Sequence, residues 1–373
     1  MVEDPDYLAK QLITYIGNKR ALLGPIGDAI RIATTRLKAP KLRCWDAFAG
    51  SGVVSRFLKA HSSLVVSSDL EDYSTTAGRC YLTNRSDLQF RELENLVAEF
   101  NDDLIIESRS RGFFEELYAP RDDARIVAAD RAFYTRENAR RLDRYRSLID
   151  TAPAKLRDLL LGPLLSEASV HANTAGVFKG FYKDRASGVG RFGGSGADSL
   201  KRILGEIRLE APILSRFECD HEVHQGDAND LATKLGPFDL AYFDPPYNQH
   251  PYGSNYFMLN LLVNNRRPEA ISRVSGIPTD WRRSGYNRRA EAAGLFEQLL
   301  NRTHARFLLV SFNDEGFIEP ELMSNILRKQ GAVQTFTLKY NAFRGSRSFE
   351  NRSVHVQEML FLVDRRRRGR IRV

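Results

Sequence analysis

Hydrophobic residues in this chain gather in short runs rich in branched and aromatic side chains. Longer segments, in which apolar residues recur at helical spacing, separate these runs. Runs of that length and composition predict buried β-strands, and four stand out, at residues 42–48, 64–68, 238–243 and 307–312. Because strands that alternate with helices are typical of a parallel sheet covered on both faces, the pattern predicts an α/β fold.

Two further runs with β character lie near the end of the chain, at residues 333–340 and 357–363. A loop rich in Arg, Ser and Asn separates them, so they predict an antiparallel pair added to the same sheet. The sheet would then be mostly parallel, with an antiparallel C-terminal strand.

A long stretch in the middle of the chain interrupts this alternation and is mainly helical in pattern. Apolar residues recur at helical spacing over 138–149 and 154–169. Thr135 suits the N-cap of the first of these two helices. A glycine-rich loop follows at 188–196.

The length of 373 residues suits one large domain with an insertion, or two domains. We predict a catalytic domain formed by residues 1–90 and 215–373, with an inserted, mainly helical module at 91–214. Hydrophobic residues make up 42% of the chain and charged residues 27%, which suffices for a sizeable core.

The sequence also bears on the compartment in which the protein acts. It contains no apolar run of about 18 residues, so we expect no membrane span. Its acidic, polar N-terminal segment lacks the pattern of a secretory signal. Three scattered cysteines, Cys44, Cys80 and Cys219, argue against a disulfide framework or a zinc site. We therefore expect a cytoplasmic protein.

The net charge of +8 and a pI of about 9.4 favour a polyanionic partner, although simple solubility is the alternative interpretation. Arginines crowd the loop at 264–290 and end the chain at 365–370, where they form either a second basic patch or a tail. Arginine forks match phosphates and guanine edges. The arginines that we expect to contact nucleic acid are Arg266, Arg267, Arg282, Arg283, Arg288 and Arg289.

A glycine turn, DAFAGSG at residues 46–52, follows the first predicted strand. Glycine permits positive φ and a close approach of a ligand to the backbone. Such a turn could hold NAD, since Asp69 ends the next strand, where a ribose-binding acid belongs. However, Ser55 stands where the dinucleotide fingerprint has its third Gly or Ala. Asp46, before the glycines, suits a ligand with an ammonium and a sulfonium better than a pyrophosphate.

Asp69 has two interpretations. Its place at the end of a strand is typical of ribose-binding acids. Asp is also favoured at the N-cap of a helix, and a helix is expected to follow. We favour ribose binding because of the strand-end position.

The strand at 238–243 ends in Asp244-Pro245-Pro246-Tyr247. The two prolines fix φ and remove two backbone donors, while their carbonyls stay as acceptors of fixed direction. Asp244 adds a carboxylate at the carboxyl end of a strand, where α/β sheets bind ligands. A Pro-Pro turn that merely caps the strand is the alternative. If these residues instead form a binding site, their rigid group of acceptors matches an amino group with hydrogens to donate.

Methyl transfer to the exocyclic N6 of adenine fits that requirement. This nitrogen is a poor nucleophile because its lone pair is delocalised, and acceptors that hold its hydrogens localise the lone pair. The methyl group of a sulfonium is already electrophilic, so positioning and electrostatics supply most of the rate without a metal. The base must leave the duplex first, and Tyr247 offers a ring on which it could stack, worth about 1–3 kcal/mol.

His221 and His224 suggest a metal site at first sight. They lie in a predicted strand, where side chains three residues apart face opposite sides of the sheet. We therefore predict no metal site.

With these motifs in this order, the chain resembles the alpha group of DNA adenine-N6 methyltransferases over most of its length. The resemblance implies S-adenosyl-L-methionine as cofactor and a Rossmann-like methyltransferase sheet. It implies that Tyr15 contacts the cofactor, that Lys19 contacts its methionine carboxylate, and that segment 226–228 reads its adenine. The implied cofactor site comprises Tyr15, Gly17, Asn18, Lys19, Asp46, Phe48, Gly50, Ser51, Gly52, Asp69, Asp227, Ala228 and Asp244. The implied catalytic residues are Asp244, Pro245, Pro246 and Tyr247.

Segments 248–250, 254–256 and 356–361 share further similarity with that family. Target recognition would belong to the inserted module and to the arginine-rich loop. Some members have Ser in place of the first Asp of the tetrapeptide and methylate cytosine N4, so Asp244 favours adenine. The same chemistry on cytosine N4 or on RNA, and a non-catalytic DNA-binding protein, stay open as alternatives.

The resemblance implies double-stranded DNA as partner and a location in the cytoplasm, with the nucleoid when DNA is bound. A cognate restriction endonuclease is a candidate second partner. The sequence does not define an oligomeric state.

Overall fold

The computed structural model describes residues 2–104, 112–194, 197–313, 316–341 and 355–367. Within these residues, the core is a seven-stranded sheet with strand order β3-β2-β1-β4-β5-β7-β6. The strands are β1 (Leu42–Asp46), β2 (Ser62–Asp69), β3 (Asp220–Gln225), β4 (Phe238–Phe243), β5 (Ala305–Asn313), β6 (Ala332–Asn341) and β7 (His355–Asp364).

The first five strands run parallel, and β7 pairs antiparallel with both β5 and β6. The predicted α/β class, the mostly parallel sheet and the antiparallel C-terminal pair are thus confirmed. The first strand ends at Asp46, two residues before its predicted end, because the glycine turn begins there.

Helices follow the strands and also fill the middle of the chain. They are α1 (Leu23–Leu37), α2 (Val53–Lys59), α3 (Asp72–Leu82), α4 (Phe90–Asp103), α5 (Phe113–Tyr118), α6 (Arg136–Thr151), α7 (Ala154–Val170), α8 (Ala197–Leu204), α9 (Ala228–Leu231), α10 (Tyr252–Asn255), α11 (Phe257–Asn264), α12 (Arg289–Arg302) and α13 (Pro320–Gln330). The predicted N-cap of α6 is confirmed, since the Thr135 side chain accepts a hydrogen bond from Asn138 N. Of the predicted glycine-rich loop, residues 195–196 lie outside the described residues, as do 368–370 of the terminal arginine run.

Alternate residues of each central strand pack on opposite faces of the sheet, as the two-residue period of a strand requires. Cys44 packs with α1 and α2 on one face, whereas its neighbour Trp45 packs with α12 and α13 on the other. In β5, Leu309 and Leu308 divide in the same way. The central strands of the sheet are therefore packed between two separate apolar layers.

Helices α4 to α7 of the middle stretch form a third apolar core together with α3 and α11. The approach of α7 to α3 is close, because a Cβ added at Gly162 would lie 2.5 Å from Cys80 Sγ. The middle helices thus pack directly on helices that belong to the sheet domain. Among the described residues, no helix combines the length and apolar character that a membrane crossing needs.

Candidate active site

The turn after β1 closes around two glycines in the left-handed region, Gly50 with φ 54° and Gly52 with φ 76°. A side chain at Gly50 would also collide with the Tyr15 ring, since a Cβ there would lie 2.9 Å from it. The Gly50 amide donates to Asp69 Oδ2 over 2.8 Å and so fixes the turn against the end of β2. Glycine is needed here for both conformation and space.

Asp46 lies at the end of β1 and is fully buried. The Ser55 hydroxyl donates to its Oδ2 over 2.6 Å, which gives Ser55 a role that the sequence did not reveal. Among the described residues, none donates a hydrogen bond to Asp46 Oδ1. Burial raises the pKa of Asp46 to about 7, with the Ser55 hydrogen bond opposing the shift. A buried oxygen without a donor is costly unless a ligand supplies one.

Asp69 is not an N-cap, because α3 begins at Asp72 and its N-cap is Glu71. Both Asp69 oxygens receive backbone hydrogen bonds, Oδ2 from Gly50 and Oδ1 from Glu71 over 2.9 Å. The Glu71 carboxylate lines the same cleft and accepts from Asn260 Nδ2 over 2.6 Å. No sequence motif indicates Glu71, which stands two residues beyond the strand.

The segment before α1 reaches the site through stacked tyrosines. Tyr15 stacks on Tyr252 with 5.1 Å between ring centroids and on Tyr256 with 4.7 Å. The Ile16 amide donates to the Tyr256 hydroxyl over 2.7 Å, and Gly17 has φ 78° close to the Tyr247 hydroxyl. These contacts hold the backbone at 15–19 against the residues that follow β4.

The tetrapeptide at 244–247 and the glycine turn lie side by side because β1 and β4 are adjacent strands. Asp46 pairs with Tyr242, and the Ala47 amide donates to Tyr242 O over 3.1 Å. Asp244, two residues further, thus lies near the Asp46 end of the same sheet edge. The two motifs share one cleft.

Most of the predicted site residues line that cleft. They are Tyr15, Gly17, Asn18, Lys19, Asp46, Phe48, Gly50, Ser51, Asp69, Asp227, Ala228, Asp244 and Pro246. Among the described residues, the predicted Gly52, Pro245 and Tyr247 do not line it. Asp227 is the N-cap of α9, and its side chain accepts a hydrogen bond from Asn229 N.

Lys19 and Asp244 meet at the floor of the cleft. Lys19 Nζ lies 3.2 Å from Asp244 Oδ1 and 2.7 Å from Glu358 Oε1. Although burial lowers it, the two carboxylates together raise the pKa of Lys19 well above its ordinary value. Burial raises the pKa of Asp244 to about 7, with Lys19 opposing the shift and Glu358 adding to it. In the structure, Lys19 therefore contacts Asp244, the first residue of the tetrapeptide.

A segment that the sequence assigned to nucleic-acid contact forms another wall of the cleft. Arg282, Ser284, Tyr286 and Asn287 all line it. Arg282 makes two hydrogen bonds to Asp72, of 2.6 and 3.1 Å. No motif marks this segment, and the contact with α3 becomes visible only in three dimensions.

That wall is also tied to the two neighbouring parts of the site. The Tyr286 hydroxyl donates to Asn229 Oδ1 over 2.7 Å, next to the segment at 226–228. Asn287 Nδ2 donates to Asn248 O over 2.8 Å, directly after the tetrapeptide. The wall therefore connects the segment at 226–228 to the loop that follows the tetrapeptide.

The other predicted nucleic-acid arginines lie on the surface. Arg266 pairs with Glu269, Arg267 with Glu116 and Arg288 with Glu291. Such exposed pairs are worth little and are screened by salt, so a polyanion could displace them. Two further arginines stack on aromatic rings, Arg283 on Trp281 and Arg289 on Phe317.

Comparisons with known proteins agree with this geometry. A family profile described as D12 class N6 adenine-specific DNA methyltransferase matches residues 15–274. The type II methyltransferase M.NlaIII of Neisseria lactamica is 26% identical over 91% of this chain and 95% of that protein. The type II methyltransferase M.CviAII of Paramecium bursaria Chlorella virus 1 is 28% identical over 94% of this chain and 98% of that protein.

The modification methylase StsI of Streptococcus sanguinis is 26% identical over 94% of this chain and 52% of that protein. The family match spans the first cofactor segment, the glycine turn and the tetrapeptide, which share one cleft here. The predicted family and enzyme class are confirmed, and S-adenosyl-L-methionine use follows at the level of the family. The chain belongs to the D12 class N6 adenine-specific DNA methyltransferases.

Proposed function

We propose that this chain transfers the methyl group of S-adenosyl-L-methionine to N6 of an adenine flipped out of double-stranded DNA. The observation that carries the proposal is the single cleft lined by both Asp46 and Asp244. Asp46 offers a buried oxygen that accepts no hydrogen bond from the described residues. Asp244 lines the same cleft and contacts Lys19 through its Oδ1. One cleft thus presents a carboxylate to each of two partners.

In the proposed site, Asp46 Oδ1 accepts the cofactor's ammonium, which supplies the donor that this oxygen lacks. Asp69 and Glu71 face the ribose, and Asp227 with Ala228 faces the adenine. When bound, S-adenosyl-L-methionine supplies a methyl group on a sulfonium. Tyr15 and Gly50 keep this end of the cleft narrow, since their atoms leave no room for an extra methyl.

Asp244 and the carbonyls of Pro245 and Pro246 hold the two hydrogens of the adenine amine. This draws the nitrogen toward tetrahedral geometry and localises its lone pair, which forms the new N–C bond. The electrons of the broken S–C bond stay on sulfur. Asp244, whose pKa is raised to about 7 by burial, is suited to take the surplus proton. Tyr247 serves as the stacking platform for the flipped base.

Recognition of the DNA sequence belongs, in this proposal, to the inserted module at 91–214 together with surface arginines of 266–289. The relatives are named as type II methyltransferases and as a modification methylase. We infer a cognate restriction endonuclease as partner and a cytoplasmic location, with the nucleoid when DNA is bound.

The test is incubation of the protein with isotopically labelled cofactor and unmethylated duplex DNA, followed by analysis of the nucleosides. We expect label in N6-methyladenine. Label confined to N4-methylcytosine would overturn the adenine assignment, and label that appears with RNA but not with DNA would overturn the choice of substrate. Sequencing of modified bases in an expressing host then gives the target site.

A further inference from the structure

Glu358 is a charged residue at the start of the apolar run 359–363 of β7. It is 3% exposed, and the residues that follow it in β7, Leu360 and Leu362 among them, are buried in the core. A carboxylate in such a place costs free energy unless it is paired. Its partners are the Lys19 ammonium at 2.7 Å and the Ser311 hydroxyl, which donates to Oε1 over 3.1 Å.

Topology explains how Glu358 reaches the site. Because β7 runs antiparallel to β5, the start of β7 lies at the edge where β5 ends, and Glu358 pairs with Asn313 there. The parallel strands β1 and β4 deliver Asp46 and Asp244 to this same edge. The antiparallel strand therefore adds a further carboxylate to this edge, beside Asp46, Asp69 and Asp244.

We propose that Glu358 is a positioning residue for methyl transfer, which shares the Lys19 ammonium with Asp244 and so leaves Asp244 an oxygen for the substrate amine. The inference rests on the proposed function. Lys19 Nζ is closer to Glu358 than to Asp244, at 2.7 Å against 3.2 Å. Asp244 meets Lys19 through Oδ1, so Oδ2 is the oxygen that the proposal assigns to the substrate amine. Without Glu358, the ammonium would pair with Asp244 alone and occupy its oxygens.

The charge of the cluster points the same way. One ammonium between two carboxylates leaves a surplus negative charge, whereas Lys19 and Asp244 alone would be neutral. During transfer the amine nitrogen gains positive charge as its lone pair forms the bond to the methyl group. A fixed negative charge next to that nitrogen stabilises the transition state more than the ground state. Glu358 supplies that charge without touching the substrate.

Other ionisable groups face the same carboxylate and enter any interpretation of pH dependence. The ionisable groups that interact electrostatically with Asp244 are Lys19, Asp46, Tyr242, Tyr252 and Glu358. Of these, Glu358 adds to the raised pKa of Asp244. Its removal should move the acid limb of the kcat profile to lower pH.

The experiment compares Glu358→Gln, Glu358→Asp and Ser311→Ala with the wild-type protein in the nucleoside assay. Glu358→Gln keeps the shape and an acceptor for Ser311 but loses the charge. We expect kcat at pH 8 to fall on the order of 10- to 100-fold, the acid limb to shift downward, and the Kd for cofactor to change less than about twofold. Glu358→Asp should keep the position of the acid limb, and Ser311→Ala should lose less activity than Glu358→Gln.

A merely structural role predicts something else. Glu358→Gln would then weaken cofactor binding and thermal stability together with kcat, and the acid limb would stay where it is. That result would overturn the inference, as would full activity of Glu358→Gln. If Glu358→Gln does not fold, the inference is overturned by a shifted acid limb in Glu358→Asp. A loss of activity in Ser311→Ala as large as 100-fold would overturn it as well. Failure of the wild-type protein to form N6-methyladenine would instead refute the proposed function.

Discussion

Asp46 should be a residue that lowers the stability of the ligand-free protein for the benefit of binding. Burial raises its pKa from 3.8 to about 7. Because the pKa of Asp46 is higher in the folded state than in the unfolded state, the contribution of Asp46 to stability is complete below the unfolded pKa near 4. That contribution is lost as the pH rises through 7. This rise in pKa lowers the free energy of unfolding by about 4 kcal/mol, as an upper bound at pH 8.

Asp46→Asn removes this charge and keeps a partner for Ser55. We expect its free energy of unfolding to exceed that of the wild type by up to about 4 kcal/mol at pH 8, with the gain vanishing near pH 4. Its affinity for S-adenosyl-L-methionine should fall on the order of 10- to 100-fold, because the ammonium loses a charged acceptor. Urea unfolding at pH 5 and 8 and calorimetric titration measure the two effects.

Asp72→Asn is the matched control. Although burial raises it, hydrogen bonds from Arg282, Asn264 and Gln225 lower the pKa of Asp72, so removal of this charge should destabilise the protein at pH 8. The reasoning about Asp46 is wrong if Asp46→Asn is less stable than the wild type at pH 8. It is equally wrong if the variant binds the cofactor with unchanged affinity.

Three further predictions concern the same cleft and the DNA. Asp244→Ala should abolish transfer and leave DNA binding within about threefold in a gel-shift assay; unchanged turnover would refute its role. Arg282→Gln should weaken cofactor binding by roughly tenfold through loss of the Asp72 contact, at about 1.5–3 kcal/mol for a charged hydrogen bond, and an unchanged calorimetric Kd would contradict that. Joint replacement of Arg283 and Arg289 by Ala should lower the slope of log K against log salt by about two, whereas an unchanged slope would remove them from the interface.

The sequence predicts much of this fold because the strands are bounded by strong local signals. For the strand at 238–243, the predicted bounds are those that the structure shows, because Gly-Pro precedes the strand and Asp-Pro-Pro follows it. The glycine turn and the tetrapeptide are likewise legible, because each follows a strand in a sheet whose parallel strands end at one edge. Local backbone rules suffice for these features.

Contacts between distant segments were beyond such rules. The meeting of Lys19 with Glu358 requires the register of an antiparallel strand at the other end of the chain. Arg282 looks like a surface arginine in the sequence, yet its partner Asp72 lies on a helix far away along the chain. Glu71 stands beyond the acid that the strand end highlights and faces the cleft through a hydrogen bond from Asn260.

The close crossing of α7 over α3, at Gly162 and Cys80, has a consequence for how new specificities can arise in such a protein. If residues 91–214 were exchanged for the equivalent segment of a relative, the buried side of α3 would meet a foreign surface, and a clash or a void would follow. A working chimera must therefore transplant α3 and α11 together with the segment. Given the recognition role proposed for this segment, point substitutions on its solvent side are the easier route by which evolution or an engineer could retarget the enzyme.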